Sequence, residues 1–173
     1  MNPIATHQPV LFEAVRQTTG GILELGAGDS STRQLHEMTD RYILTVDDQP
    51  EWIEPYKDLL CDRHQFMFLP THQSENYYKS MRREWGLVFI DSSTWAMRLA
   101  AIKVFAQEAE VVVIHDGNYG RDAGVVFEDH FYYWAEYRQE GIDIPTTMIA
   151  SNSLDVRKIN IPGAVKIAES RDN

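Results

Sequence analysis

Gly21-Ile22-Leu23-Glu24-Leu25-Gly26-Ala27-Gly28-Asp29-Ser30-Ser31 is the stretch that decides how this 173-residue chain is read. A short apolar run turns through two glycines into a polar segment that opens a helix. Glycines permit a tight turn and a close backbone approach to a ligand, and a helix start presents N–H groups without intrahelical partners. The pattern therefore predicts a strand, a ligand-binding turn and a helix at the head of an α/β domain. A dinucleotide fingerprint needs a third glycine three residues after the second. Ser31 stands there instead, which counts against a pyrophosphate ligand.

Working outward, Tyr42-Ile43-Leu44-Thr45-Val46 reads as a second parallel strand ending in Asp47-Asp48. Asp47 lies 21 residues after Gly26, close to the ~20 expected for a ribose-binding acid in a βαβ unit. One carboxylate there can accept from both ribose hydroxyls. The plainer reading is that Asp47 and Asp48 cap the helix expected near Glu51.

Glu24-x-Gly26-x-Gly28 followed by Ser30-Ser31, with an acid after the second strand, resembles the first motifs of class I S-adenosylmethionine-dependent methyltransferases. The resemblance implies a Rossmann-like α/β sandwich with a mostly parallel seven-stranded sheet and a C-terminal antiparallel hairpin. It implies S-adenosylmethionine as cofactor, with Glu24 near the methionine end and Gly26, Ala27, Gly28, Ser30 and Ser31 along the turn. Asp47 and Asp48 would meet the ribose, and Asp91 would complete the cofactor set.

The remaining pattern alternates as such a domain requires. Helices are expected over 7–18, 31–38, 51–61, 74–83 and 94–108, and strands over 65–69, 85–90 and 110–114. Trp52, Ile53, Tyr56, Leu59 and Leu60 read as a buried stripe of the third helix. Glu110-Val111-Val112-Val113-Ile114 is apolar enough for a fully buried parallel strand. An aromatic helix is expected over about 125–139, with Phe127, Phe131 and Trp134 in the core. Tyr133 and Tyr137 would then face elsewhere, toward a partner subunit in a homo-oligomer. Two strands, 146–150 and 154–159, would form the closing hairpin. No repeat or linker interrupts the chain, so a single domain over 1–173 is expected.

Open α/β sheets bind ligands at the C-terminal ends of their strands. Asp91 ends the fourth strand, and His115-Asp116 ends the fifth. Asp91, His115 and Asp116 are therefore the candidate catalytic residues. Two readings stay open. In one, His115 or Asp116 is the general base that takes the acceptor proton. In the other, carboxylates hold a magnesium-type cation. That second reading is similar to the cation-dependent O-methyltransferases, whose pattern would assign Asp91, Asp116 and Asn118 as ligands. Here Gly117 follows Asp116, so the asparagine comes one place late. The segment Phe89–Arg98 with Val113–Asp116 is also similar to glucuronoxylan methyltransferases, which keeps sugars among the substrates. That resemblance would have Arg98 bind an anionic substrate such as a carboxylated sugar, while its plainer reading is a solvated helix residue, and Gly117–Gly124 reads as a flexible loop that could close over substrate.

Composition narrows the partners. A net charge of −10 opposes electrostatic attraction to nucleic acid, so a small molecule or sugar is expected rather than DNA or RNA. No apolar stretch reaches membrane-spanning length, and Cys61 is the only cysteine, so a reducing cytoplasmic setting without membrane contact is expected. The expected activity is O-methylation from S-adenosylmethionine. A domain that binds the cofactor as a sensor or inactive partner subunit is the alternative.

Overall fold

In the computed structural model, which describes residues 5–71, 74–81 and 83–172, one sheet organises the chain. Its strands are β1 (Gly21–Leu25), β2 (Ile43–Asp47), β3 (His64–Phe68), β4 (Trp85–Ile90), β5 (Ala109–His115), β6 (Tyr133–Gln139), β7 (Thr147–Ser151) and β8 (Ala164–Glu169). The spatial order is β3-β2-β1-β4-β5-β7-β6-β8. The first five are parallel neighbours, and β7, β6 and β8 pair antiparallel. The α-helices are α1 (Gln8–Gln17), α2 (Thr32–Met38), α3 (Pro50–Ile53), α4 (Ser74–Ser80), α5 (Trp95–Phe105) and α6 (Gly117–Asp122).

Strand alternation splits the core into two layers. Leu23 and Leu25 of β1 join Val88 and Ile90 of β4 and Phe105 of α5 on one face. Ile22, Leu87 and Phe89 face the other way, against Val10, Leu11 and Ala14 of α1 and Leu35 of α2. Glu24 has the parity of Ile22 and is driven into the α1–α2 side. The strand order reverses between β1 and β4, which opens a crevice beyond their C-terminal ends. Gly26 follows β1 there and Asp91 follows β4.

The Rossmann-like sandwich is as expected, but the sheet has eight strands rather than seven. The expected aromatic helix over 125–139 is instead a 3-10 turn, Phe127–Asp129, followed by β6. Tyr133, Trp134 and Tyr137 favour extended backbone, and their neighbours β7 and β8 complete the ladder. Phe127, Phe131 and Trp134 are buried as expected, and Tyr137 is buried too rather than turned outward. Residues 154–159 contain only a 3-10 turn, Val156–Lys158, and the closing strand is β8, whose Val165 and Ile167 are exposed. The third helix is cut short. Pro55 brings no N–H for an α-helical bond, so α3 passes into a 3-10 segment, Glu54–Leu59. Trp52 and Leu60 are exposed rather than part of a buried stripe, although Tyr56 and Leu59 are buried. The glycine-rich stretch after β5 is helix α6, not a loop. A side chain at Gly120 would meet the Trp95 ring at 2.5 Å, which explains why this helix tolerates a residue of low helical propensity.

Candidate active site

Gly26 adopts φ 104°, a left-handed value that a side chain strongly disfavours. A Cβ there would also lie 2.3 Å from the Asp91 carbonyl oxygen. Gly26 is therefore the joint at which the β1 turn passes the end of β4. Gly28 differs, because a Cβ would meet nothing nearer than the Ser31 hydroxyl at 3.8 Å. It leaves open space in the cleft. The N–H groups of the turn are already engaged. Gly26 N–H donates to the Val46 carbonyl (2.8 Å), Ala27 N–H to Asp47 Oδ2 (2.8 Å) and Gly28 N–H to Thr32 Oγ1 (2.9 Å). The turn offers a bare backbone surface at these positions rather than an anion cradle.

Glu24 is fully buried and lies outside the cleft lining. Its Oε2 accepts from Thr45 Oγ1 (2.7 Å) and its Oε1 from Thr32 Oγ1 (3.2 Å). Burial pushes its pKa up to about 7, partly offset by hydrogen bonds from Ser31, Thr45 and Thr32. The chain continues outward: His64 Nε2 sits 2.9 Å from Thr45 Oγ1, and His36 Nδ1 sits 3.0 Å from His64 Nδ1. Arg63 Nη2 lies 2.9 Å from His36 Nε2. Arginine can only donate, so with neutral rings every hydrogen bond in this chain must point from Arg63 toward Glu24.

A cleft of about 310 Å³ lies over the turn, lined by Gly28, Ser30, Ser31, Asp47, Asp48 and Asp91 together with His7, Trp52 and Ser93. Asp47 Oδ1 accepts from Gln49 N–H (2.8 Å), and its pKa is raised, mainly by burial. Asp48 Oδ2 accepts from the hydroxyls of Thr71 (2.6 Å) and Ser93 (3.0 Å). Of the sequence-derived cofactor residues, the structure thus brings Ala27, Gly28, Ser30, Ser31, Asp47, Asp48 and Asp91 to one cleft. Gly26 shapes its floor, and Glu24 supports it from beneath.

The candidate catalytic residues gather around Arg98. This side chain is buried, contrary to the solvated position expected. Its Nη2 donates to Asp91 Oδ1 (2.9 Å), and its Nη1 donates to Asp116 Oδ2 (2.9 Å) and the His115 carbonyl (2.9 Å). Nε donates to the Ser92 carbonyl (2.7 Å). His115 Nδ1 lies 3.2 Å from Asp91 Oδ1, and its Nε2 lies 3.0 Å from Thr6 Oγ1 and 3.7 Å from Asp116 Oδ1. Asp116 is held at φ 60°, left-handed for a non-glycine residue, a strained conformation of the kind that clusters at functional sites. Asn118 is not part of this group. Its Oδ1 accepts from Thr146 N–H (3.0 Å) and Thr146 Oγ1 (3.3 Å), so the Asp91–Asp116–Asn118 ligand set is not assembled.

Three contributors were missed in the sequence. Arg98 had a signal, since it lies three and seven residues before Ala101 and Phe105 and so falls on the buried stripe of α5. Trp52 was assigned to the core, whereas it stands 47% exposed at the cleft. His7 had none. It precedes α1, is 2% exposed, and packs its ring edge-on to His115 with centroids 4.7 Å apart. Burial, with His115 beside it, pushes the His7 pKa down to about 4.

Solved structures share this architecture. Human methyltransferase-like protein 13 in complex with SAH aligns with a TM-score of 0.64 at 12% identity, covering 91% of this chain and 86% of that one. An rRNA methylase from Streptococcus thermophilus aligns at 0.61 and 15% identity, covering 86% and 95%. A putative caffeoyl-CoA O-methyltransferase from Staphylococcus aureus aligns at 0.57 and 15% identity, covering 83% and 81%. No family model and no curated protein matches the chain. The chain has the fold of class I S-adenosylmethionine-dependent methyltransferases. That fold is common to RNA-directed and small-molecule enzymes, so it does not support the expectation that nucleic acid is excluded. Among the described residues no helix is long and apolar enough to cross a membrane.

Proposed function

We propose that the protein is an S-adenosylmethionine-dependent methyltransferase that methylates an oxygen of a small molecule or sugar. The observation that carries this reading is the cleft at the β1/β4 switch point, bounded on one side by the glycine turn and Asp47-Asp48 and on the other by Asp91. The residues fit the cofactor. Gly28 leaves the space a side chain would fill, and the occupied N–H groups of the turn suit a ligand without a pyrophosphate. Asp47 retains lone pairs for ribose hydroxyls, and Trp52 offers an exposed ring for the base. When bound, S-adenosylmethionine supplies an electrophilic methyl group on a sulfonium centre.

The chain's own task is to align the acceptor, exclude water and take its proton. With His115 Nδ1–H donating to Asp91 Oδ1, the Nε2 lone pair beside Thr6 and Asp116 is the atom that would receive it. Asp91 then balances the imidazolium, as the acid does in a nucleophile–histidine–acid triad. Arg98 fixes both carboxylates and the His115 backbone in place.

Calorimetric titration with S-adenosylmethionine and S-adenosylhomocysteine tests the cofactor, with micromolar binding expected. Asp47→Ala should abolish that binding. His115→Gln should spare it yet stop methyl transfer to a panel of phenols, hydroxy acids, sugars and ribosomal RNA. Failure of both ligands to bind overturns the reading, and transfer to RNA alone corrects the substrate. Binding without transfer to any acceptor would favour the sensor role.

A further inference from the structure

The Nδ1 of His7 is a buried nitrogen without a hydrogen-bond partner, at the inner wall of the cleft. Its Nε2 lies 3.2 Å from the Ser30 carbonyl. A carbonyl can only accept, so Nε2 carries the proton and Nδ1 carries the lone pair. The tautomer is thereby set by a backbone partner, the way metal-binding histidines are oriented. Ligand atoms of His7, Asp91 and His115 all lie within 4.8 Å of one another.

His115 can complete the set. If its Nε2–H donates to Thr6 Oγ1 (3.0 Å), its Nδ1 lone pair lies beside Asp91 Oδ1 at 3.2 Å. In this tautomer an ion would take the place of the proton that otherwise joins the two atoms, so the metal-bound site and the Nδ1–H···Asp91 pair are alternative states. Arg98 already donates to the same Oδ1 of Asp91, leaving Oδ2 and the remaining Oδ1 lone pair for an ion. Asp91 and His7 both reach the cleft wall, so an ion held here would have remaining positions open to that space. Nitrogen at 2.0–2.1 Å is the ordinary zinc distance, and side-chain rotation alone must draw the three donors somewhat closer than their present spacing.

We infer that His7, Asp91 and His115 form a binding site for a divalent transition metal of the zinc type. Two imidazoles and one carboxylate suit zinc, iron, cobalt or nickel, whereas magnesium and calcium favour all-oxygen sets. The site differs from the Asp91–Asp116–Asn118 set expected from sequence in two of its three ligands and in the metal it selects. It goes beyond the proposed function and is tested separately, because metal uptake is read without cofactor or acceptor, although a bound ion would engage the same His115 and Asp91 atoms that form the proton-transfer pair.

The test is calorimetric titration of chelator-treated protein with Zn²⁺, with Mg²⁺ as contrast. Zinc is expected to bind one per chain, and magnesium in excess should not displace it. His7→Gln and His115→Gln should each weaken binding by more than roughly tenfold, the loss that removal of even an outer partner can produce. His36→Gln should leave it unchanged, which separates this site from the neighbouring His36–His64 contact. Imidazole ¹⁵N spectra of the unmodified protein guard against misfolded variants, since zinc should shift His7 Nδ1 and leave His7 Nε2 protonated. Absence of zinc binding, retention of full affinity in both variants, loss of binding in His36→Gln, or an unmoved His7 Nδ1 would each overturn the inference.

Discussion

Two polar networks, one running from the start of β3 across β2 to β1 and one at the ends of β4 and β5, are each built around a pair of histidines, and they differ in completeness. In the first, Arg63, His36, His64, Thr45 and Glu24 form a chain in which every ring nitrogen has a partner, ending on the hydroxyl that holds Gly28 N–H. In the second, Arg98 ties Asp91 to Asp116 and His115 reaches Thr6, but His7 keeps an unpartnered nitrogen. A buried polar atom left without a partner costs stability, so a closed network is what folding alone would favour. The first network is therefore scaffold for the glycine turn. The second holds polar capacity open at the cleft, where the proposed chemistry would use it.

The largest effect should come from removing the hub of the second network. Arg98→Ala deletes a buried cation and leaves two carboxylates and two carbonyls without their donor. Breaking a buried ion pair in this way typically costs about 3–5 kcal/mol, which for a chain of this size lowers the melting temperature by at least roughly 6 °C. Thermal and urea denaturation read both. A loss below about 1 kcal/mol would mean that Arg98 is dispensable to folding, and would break the distinction between a hub and a surface arginine.

The first network predicts opposing pH dependences. Glu24 has its pKa raised from 4.5 to about 7 and His64 has its pKa lowered from 6.5 to about 4, both chiefly by burial. The Glu24 contribution is fully present below pH 4.5, where both folded and unfolded forms are protonated, and is lost as pH rises through 7. His64 works the other way, losing stability as pH falls from 6.5 toward 4, because only the unfolded chain takes up the proton. Between pH 4.5 and 6.5 the two slopes offset. Relative to wild type, Glu24→Gln should gain roughly 3 kcal/mol on going from pH 4.5 to above 7. His64→Gln should gain in the opposite direction. Flat difference curves for both would show that burial does not set these protonation states.

How much of this was legible follows from period and parity. Repeated apolar runs at strand length, each ended by Gly, Asp or His, placed β1, β2, β4 and β5 and put Asp47, Asp91 and His115 at their C-terminal ends. The C-terminal third was harder. Phe127, Phe131 and Trp134 fit helical spacing better than strand alternation, yet only Trp134 enters a strand, and the pairing of β6 with β7 and β8 overrides the local pattern. Glu24 shows another limit. The motif assigned it to the cofactor, yet strand alternation puts it beneath the turn, where Thr32 and Thr45 hydroxyls donate to it. His7 lay outside any motif, because its position depends on contacts with Ser30 and His115, 23 and 108 residues away.

The two glycines of the turn should separate the networks with a smaller effect. Gly26→Ala introduces a Cβ at a left-handed φ and 2.3 Å from the Asp91 carbonyl, so it must displace the strand end that carries the second network. A destabilisation of at least about 2 kcal/mol is expected. Gly28→Ala meets only the Ser31 hydroxyl at 3.8 Å, so stability should stay within about 0.5 kcal/mol while S-adenosylhomocysteine binding weakens. Equal destabilisation by both would refute the assignment of Gly26 as joint and Gly28 as open floor.

Trp52 belongs to neither network, and its smaller expected effect makes it the cleanest control for the cleft. Its side chain is half-buried, so Trp52→Ala should cost about 1 kcal/mol of stability, less than Arg98→Ala or Gly26→Ala. If its ring receives the adenine, the same variant should weaken S-adenosylhomocysteine binding by about 1–3 kcal/mol, the usual worth of a base stacked on an aromatic side chain. Trp52→Phe should restore most of that loss, because a second aromatic face replaces the first. Cofactor addition should quench Trp52 fluorescence in the parent protein and leave the remaining emission of Trp52→Phe nearly unchanged. Unaltered affinity in Trp52→Ala would move the base away from the rim and toward the Asp47–Gln49 wall, leaving both networks as described but reversing the orientation of the ligand between them.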